Sequence, residues 1–505
     1  MNLKPKKRKK LIYQVCCSDK SYASTNDINL DVNEIESFLR AQPSFIKYDP
    51  NLVMRLTSMY INSSDQSKIN VFHDVFVGSL SEAIKNGFDD DSPLGEILIA
   101  KVAYKIYKKK EYPFKRSIIE EVIDEYVEEY GGKLDYDEIY NNIIKTGIIK
   151  KTVDNKLIFE SNNHLSYFIA KEIQRKRSED GDNTDHDMLI NDVSNGINGD
   201  IMLYLSLVEN SIELGKIIVK KSKENLNDVI EISLNDLYKS SGKYSLKAIE
   251  NEETKEKRYE KAEKKNEKEE EKEYFELEKV NFFDSDKRTA EEKKREDAAT
   301  YLELNCKLFS SFYRRIKKDF KREIVQELYS QSNKFLYLII TPFVKDFPKL
   351  QQNFVDFFSK TEEVKKQKLG ENDLKNIFEQ FFITLEYNTI LQIYNLTSIF
   401  SVCRQNVDEL IGYDCNSNDL SKILNLLFIQ RKNNKSLFYD CLKKEYHGSK
   451  SPVIKNLIIN IFNHYIITNR IFGPEEQSVA SVLNIEKSIQ SIKHEIYKSK
   501  EIIED

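Results

Sequence analysis

The six histidines and six cysteines are the residues best suited to metal or nucleophilic chemistry, and their spacing groups none of them into a motif. No two histidines stand four residues apart, and no two cysteines form a C-x-x-C pair. Zinc sites need such closely spaced ligands. We therefore predict no metal site and no catalytic residue set, and we expect reduced thiols in a cytoplasmic protein.

Two short glycine-containing segments and one acidic segment are the candidate ligand-binding loops of the sequence. Gly131–Lys133 and Ser241–Lys243 lack the upstream glycine and the following Ser or Thr of a phosphate-binding P-loop. Glu179–Asp187, "EDGDNTDHD", lacks the ligand order of a calcium loop, so a mobile polar linker is the favoured interpretation. We expect no nucleotide hydrolysis by this chain alone.

Composition and charge narrow the class of protein. The 505 residues are 40% hydrophobic and 32% charged, with a net charge of −5, which is typical of a folded protein and not of a strongly basic nucleic-acid binder. No apolar run reaches the roughly 20 residues that cross a bilayer, so no membrane partner is expected.

Apolar periodicity predicts a mainly α fold with a helical subdomain, a small winged helix with a β-hairpin wing, and a long all-α region. The pattern divides the chain into five segments. Residues 249–298, the fourth segment, are dominated by charged residues and are expected to form an exposed helix or to be disordered. The segments are 1–110, a helical subdomain; 111–176, the winged helix; 177–248, a linker with short helices; 249–298, the charged insertion; and 299–505, an all-α domain.

The winged helix is predicted from the order of three helices, a hairpin and an exit helix. "KRSIIEEVIDEYVEEY" ends at Gly131-Gly132, and "DYDEIYNNIIKT" begins at Asp135, a favoured N-cap residue. "IIKKTV" and "KLIFE" read as strands joined at Asp154-Asn155, a dipeptide suited to a tight turn. Leu165, Phe168 and Ile169 then form an apolar stripe on the helix that follows.

Some winged helices read DNA with the second helix of the helix-turn-helix and touch phosphate with the wing. Here that second helix opens with Asp135, Asp137 and Glu138, which repel phosphate. A DNA-binding regulator with a helical effector domain stays open as an alternative, as does a helical protein-interaction scaffold. The wing lysines that would contact nucleic acid are Lys150, Lys151 and Lys156.

The segment from Tyr112 to Arg175 resembles the winged-helix subdomain of STAND-class signalling ATPases, the NACHT and NB-ARC relatives, especially bacterial antiphage members. The matching residues are "IDEYVEEYGGKLDYDEIYNNIIKTGIIKK", "KLIFE" and "HLSYFIAKEI". The preceding "FLRAQPSFIKYDPNLVMRLTSMYI" is similar to the neighbouring helical subdomain, and "REDAATYLELNCKLFSSFYRRIKKDFKREIVQELY" is similar to a later helical stretch.

The resemblance implies the carboxy-terminal part of such a protein, because the P-loop core is missing from this sequence. It implies a non-catalytic regulatory and sensor function that recognises a ligand or partner through residues 200–505 and acts by domain rearrangement, in antiphage defence. ADP or ATP would be held only through a separate core in trans. In the family a histidine near the start of the exit helix contacts ADP. The residues nearest that position here are His164 and Asn163. The alternative to nucleotide contact is that His164 only belongs to a locally capped helix start.

Overall fold

The structure is a computed structural model, and it describes most of the chain. Between residues 18 and 50 it describes only isolated positions, namely 28, 31, 32, 35, 36 and 39. The continuous described ranges are 5–18, 50–62, 68–88, 93–238, 289–361, 369–402, 407–411, 418–431, 434–469 and 474–483. Most of the charged insertion predicted for residues 249–298 lies outside the described residues.

The chain divides into two compact units. Unit 1 comprises Met1–Lys221 and Glu253–Ile316, and unit 2 comprises Ser222–Glu252 and Lys317–Asp505. The described parts are helical apart from one two-stranded sheet, which confirms the predicted mainly α fold class. Among the described residues, no helix combines the length and the apolar character needed to span a membrane.

Unit 1 begins with helices and then forms the hairpin. Its elements are α1 (Pro5–Ser18), α2 (Pro50–Asn62), α3 (Lys68–Gly87), α4 (Leu94–Lys109), α5 (Arg116–Tyr130), α6 (Tyr136–Lys145), β1 (Ile149–Lys151), β2 (Leu157–Phe159), α7 (Asn162–Asp180), α8 (Thr184–Asn191), α9 (Asn198–Glu209), α10 (Ile212–Asn225) and α11 (Ala290–Phe312). The unit boundary falls within α10.

Local signals set the limits of the helices in the winged-helix region. Gly131 ends α5 with a φ of 77°, a conformation that glycine adopts without strain. Asp135 caps α6, its carboxylate accepting the Glu138 N–H at 2.9 Å. Ser161 caps α7 by accepting the His164 N–H at 3.3 Å. Each cap satisfies a backbone N–H that lacks a partner within its helix.

The hairpin pairs β1 and β2 antiparallel, with Ile149 opposite Phe159. Phe114, between α4 and α5, adds an isolated bridge to Leu157, with N–H···O distances of 3.0 and 2.8 Å. The turn is one residue longer than the predicted two-residue loop: Thr152 and Lys156 close it, and Asn155 adopts a φ of 60°. Asparagine tolerates this left-handed conformation better than most residues, which accounts for the bulged turn.

The wing is fixed to the exit helix by aromatic packing. Phe159 lies 6.3 Å from Phe114 and 6.4 Å from Phe168, measured between ring centroids, and all three rings are buried. The predicted stripe of α7 is fully buried, and α7 packs against both α4 and α9. The hairpin therefore belongs to the same core as the helices around it.

The segment Glu179–Asp187, expected to be a mobile polar linker, instead forms the end of one helix and the start of the next. The helix α7 continues to Asp180, and α8 follows almost at once. Asp185 is buried, where it accepts a hydrogen bond from the Tyr104 hydroxyl at 2.6 Å and forms an ion pair with Lys108. His186 Nε2 lies 3.0 Å from a Glu209 carboxylate oxygen. These contacts with α4 and α9 compensate for taking polar groups out of water.

Residues 289–298, at the end of the predicted insertion, start α11. Thr289 forms a capping box with Glu292, in which the Glu292 N–H donates to Thr289 Oγ1 at 3.2 Å and the Thr289 N–H donates to Glu292 Oε2 at 2.8 Å. Both bonds satisfy N–H groups at the helix start, so α11 begins inside the charged segment.

All the regular elements described in unit 2 are α-helices. Its elements are α12 (Lys318–Lys345), α13 (Phe347–Phe358), α14 (Glu371–Ser401), α15 (Val407–Ile411), α16 (Asp419–Arg431), α17 (Lys435–Gly448), α18 (Pro452–Asn469) and α19 (Pro474–Val482). Unit 2 also includes residues 226–238, which precede α12 in sequence and form no helix or strand; Tyr238 is the last residue described there.

A buried asparagine joins three helices and the irregular segment of unit 2. Asn333 of α12 accepts the Tyr394 hydroxyl at 2.6 Å and donates to Ser421 Oγ at 3.0 Å. Its backbone carbonyl accepts the Ile232 N–H at 3.2 Å, and the Asn418 side chain donates to the Ile232 carbonyl at 2.7 Å. These bonds anchor segment 226–238 at Ile232.

Candidate functional site

His164, predicted from the resemblance to contact nucleotide, lies at the start of α7 with its side chain in the core. His164 is 7% exposed, and its imidazole stacks on Phe76 of α3, with ring centroids 5.4 Å apart and planes at 18°. Burial, with a smaller effect from Lys150, lowers the pKa of His164 to about 3. Asn163 is half-buried beside it. The predicted pair is thus adjacent, with the histidine turned toward α3.

Phe76 is the centre of a histidine–aromatic cluster made of Phe76, His164, His73, Tyr167 and Tyr204. Tyr167 and Tyr204 each lie 5.6 Å from Phe76 between centroids, and the His73 ring lies 6.3 Å from Tyr204. The buried Nδ1 of His73 has no hydrogen-bond partner among the described residues, and burial lowers the pKa of His73 to about 4. The cluster joins α3 to α7 and α9 and contains two histidines that are neutral at physiological pH.

The wing lysines, predicted for the nucleic-acid alternative, lie on the hairpin surface. Lys150 forms an ion pair with Glu160, whereas Lys151 and Lys156 are exposed near the turn. The start of α6 is acidic and exposed, and Asp137 there pairs with Arg116 at 2.6 Å. The hairpin therefore presents a small basic tip, and the start of α6 is acidic.

One cavity in unit 1 lies between α9 and α11 and has a volume of about 110 Å³. Asp200, Glu303 and Lys307 contribute its charged lining, and Lys307 forms an ion pair with Glu303. Pockets for nucleotide-sized ligands typically measure ~300 Å³ or more. The cavity is thus too small for a nucleotide. Among the described residues, no group of three His, Cys, Asp or Glu side chains could hold a metal ion.

The most unusual surface of unit 2 is formed by α13 and α14. Six large apolar side chains are exposed on these two helices. Five of them lie at Phe357, Phe358, Ile377, Phe381 and Leu385, and together we call these five the aromatic face; the sixth, Leu396, lies farther along α14. Phe357 is 67% exposed and Phe381 is 57% exposed. Residues 377, 381 and 385 recur at four-residue steps and so form one stripe along α14.

The aromatic face lies over a cluster of buried rings. Phe347, Phe378 and Phe382 form the buried cluster, with Phe354 packed against it. Phe354 lies 4.4 Å from the exposed Phe358 and 5.1 Å from the buried Phe378, between centroids. Exposed and buried rings therefore form a continuous apolar layer on this helix pair.

Tyr238, the last described residue before the charged insertion, packs on the same buried cluster. Its ring lies 4.2 Å from Phe347 and 5.6 Å from Phe382 between centroids. Its hydroxyl donates to Glu379 at 3.2 Å, and its backbone N–H donates to Glu386 at 2.9 Å. Burial raises the pKa of Glu386 to about 7, and the hydrogen bond from Tyr238 moderates that rise.

Sequence reasoning found the hairpin residues but missed the aromatic face. The signal that indicates it is the width of the apolar arc on α14, where Leu374, Phe378 and Phe382 occupy one stripe and Ile377, Phe381 and Leu385 the next. A helix that buries only one face needs a narrower apolar arc. Comparison of the chain with protein-family models, with curated proteins and with solved structures gave no match.

Proposed function

We propose that this chain is a non-catalytic recognition module in which unit 2 binds a protein partner through the aromatic face. The observation that carries the proposal is the exposure of five large apolar side chains on two neighbouring helices. Contiguous apolar surface of this kind is uncommon on monomeric proteins and marks sites of protein interaction. Aromatic side chains are also among those that contribute most to binding.

The buried cluster beneath the aromatic face packs α13 against α14, and this packing does not depend on the exposed side chains. Phe347, Phe378 and Phe382 already bury their rings there. Phe357 and Phe381 keep more than half of their surface in water, and covering such a ring on association contributes about 1.5–3 kcal/mol before entropic costs. These rings would therefore supply part of the binding free energy, and the remaining contacts of the interface would offset the cost of association.

The regulatory half of the proposal comes from the resemblance to STAND-class ATPases. The order α4, α5, α6, hairpin and α7, with Phe159 at the end of the wing, supports that kinship. On this interpretation, partner binding by the sensor-like region changes the association of the winged helix with a nucleotide-bound core on another polypeptide, in antiphage defence. This chain would act as the lid and the sensor.

The decisive experiment compares partners captured by the wild type and by a face variant. Phe357→Ser combined with Phe381→Ser removes the two most exposed rings, and Asn353→Ser with Gln380→Ser is the matched control at exposed polar positions of the same helices. We expect a stoichiometric partner in quantitative mass spectrometry of cross-linked cell extracts. The face variant should lose it and the control should keep it, with unchanged circular dichroism in both. Equal capture by the face variant would contradict the proposed function.

A further inference from the structure

The side of α14 that faces water carries no charge from Asn376 onward. The charged residues between Asn376 and Ser401 are Glu379 and Glu386, of which the first is half-buried and the second buried. Exposed helix surfaces usually carry charged residues, and 32% of this chain is charged. The exposed residues of this stretch are all apolar or polar but uncharged: Asn376, Ile377, Gln380, Phe381, Thr384, Leu385, Asn388, Gln392 and Leu396.

The apolar stripe on this side is symmetric about Phe381. Ile377 precedes it by four residues and Leu385 follows it by four, so an aromatic ring stands between two aliphatic side chains of similar size. A twofold axis at Phe381, perpendicular to the helix, pairs Ile377 of one copy with Leu385 of the other. It also brings the two Phe381 rings together. The stripe thus meets the condition for an isologous interface, in which one surface pairs with itself.

We propose that the partner of the aromatic face is a second copy of this chain, and that the two copies pack their α14 stripes antiparallel about a twofold axis at Phe381. The inference rests on the proposed function and names the partner of that same surface. It concerns unit 2 alone.

The absence of charge favours a second copy over an unrelated protein. Interfaces between different proteins place complementary charges opposite each other, which steers the encounter and rejects wrong partners. Close to a twofold axis a charged side chain instead meets its own copy, and like charges repel. The exposed residues along the edge of the stripe are Gln380, Thr384 and Asn388, whose amide and hydroxyl groups both donate and accept hydrogen bonds. Such groups can pair with their own copies.

Charge at the start of α14 selects the antiparallel orientation. Glu371 and Asp373 lie in the first turn and are exposed, and Lys375 forms an ion pair with Glu371 at 2.6 Å. Asp373 therefore leaves this turn with a net negative charge. In a parallel pair the two first turns would meet and repel, with the helix dipoles side by side in the same direction. In an antiparallel pair each first turn lies opposite the uncharged stretch near Gln392 of the other copy.

Sedimentation equilibrium of the purified full chain tests self-association. A single helix stripe is small beside the roughly 800 Å² per copy of a standard interface, so concentrations should span about 1 to 200 μM. We expect the wild type to change reversibly from monomer to dimer across this range and Phe381→Ser to remain a monomer. Val153→Ser, which removes an exposed apolar side chain from the hairpin of unit 1, is the control and should dimerise like the wild type. A monomeric wild type, or a dimer unaffected by Phe381→Ser, would overturn the proposal.

Cysteine cross-linking tests the orientation of the two copies. Chains with Ile377→Cys and chains with Leu385→Cys are treated with a short bismaleimide, separately and as a mixture. Mass spectrometry of the linked peptides separates these links from those of native thiols such as the exposed Cys17. The antiparallel pair predicts more linkage between positions 377 and 385 in the mixture than within either variant alone. Stronger linkage of either position to itself would indicate a parallel pair and would refute the proposed geometry.

Failure of this inference can be told apart from failure of the proposed function. A monomeric wild type would exclude the second copy, whereas loss of a different protein from the face variant in cell extracts would leave the proposed function standing. Conversely, a dimer that depends on Phe381 would uphold the inference even where every other captured protein ignores the face. That result would restrict the aromatic face to self-association.

Discussion

Acidification should destabilise unit 1 through the buried His164. Its imidazole stacks on Phe76 and its pKa is lowered to about 3 from 6.5, because the charged form is poorly solvated in the core. Below about pH 6.5 the unfolded chain therefore binds a proton that the folded chain excludes. The part of the free energy of unfolding that depends on a neutral His164 is therefore complete above pH 6.5, and it is lost as the pH falls toward the pKa of the folded state.

The size of the effect follows from the two pKa values of this one group. Between pH 8 and pH 5 the unfolded imidazole becomes almost fully protonated and the folded one does not. The free energy of unfolding should then fall by about 2 kcal/mol from His164 alone. His73, with a pKa lowered to about 4 by the same burial, should add a similar amount.

His164→Phe removes the titrating group and keeps a ring to stack on Phe76, and His164→Gln removes both. Hydrogen exchange of α7 peptides in increasing urea, measured by mass spectrometry, gives the stability of unit 1, with α16 peptides as an internal reference in unit 2. The loss of stability between pH 8 and pH 5 should be about 2 kcal/mol smaller in either variant than in the wild type. Carboxylate titration cancels in this difference.

His447→Gln is the matched control, because His447 is exposed at the end of α17. It should show the same pH dependence as the wild type. Equal slopes for the wild type and both His164 variants would refute the reasoning, since they would mean that the folded state accommodates an imidazolium at this position.

Three further predictions concern the winged helix. Phe159→Ala should lower the free energy of unfolding of unit 1 by about 3–5 kcal/mol in urea titrations, because it empties a site between Phe114 and Phe168; exposed Val153→Ala should change it little. Because φ of Asn155 is 60°, Asn155→Gly should leave stability unchanged or raise it in thermal denaturation. Asn155→Val should lower the stability by about 1 kcal/mol, and a tolerated valine would contradict the turn geometry. The purified chain should bind neither ADP nor ATP tightly in calorimetry. The double variant Lys151→Ala/Lys156→Ala should leave any gel shift on random duplex DNA at low salt unchanged. A salt-dependent shift that this variant abolishes would favour the DNA-binding alternative.

Much of the fold could be predicted from local sequence signals. Asp135 as a helix cap, Gly131 as a helix end and the Leu165, Phe168 and Ile169 stripe all stand where the pattern predicts them. Caps, turns and periodicity depend on residues within about one turn of each other, so they can be recognised without the rest of the chain. The longer hairpin turn was missed because the choice between loops depends on the register of the strands.

The candidate sites were only partly predictable. The acidic run around Asp185 has the composition of a solvated linker, and it becomes ordered because Tyr104 and Lys108, far back in the chain, supply its partners. His164 could be recognised by its position at the start of a helix. Its burial against Phe76 depends on how α3 meets α7, which the sequence of neither helix specifies.

The sequence by itself determined the order of the elements, the wing with Phe159 at its end and the helical character of the long carboxy-terminal region. Only the tertiary structure decided which apolar stripe of α14 is covered. Leu374, Phe378 and Phe382 are buried in unit 2, while Ile377, Phe381 and Leu385 remain exposed to water. The physical reason is that hydrophobic burial is non-directional: a pattern shows that a side chain gains from leaving water, and the packing of distant segments selects the side chains that do so.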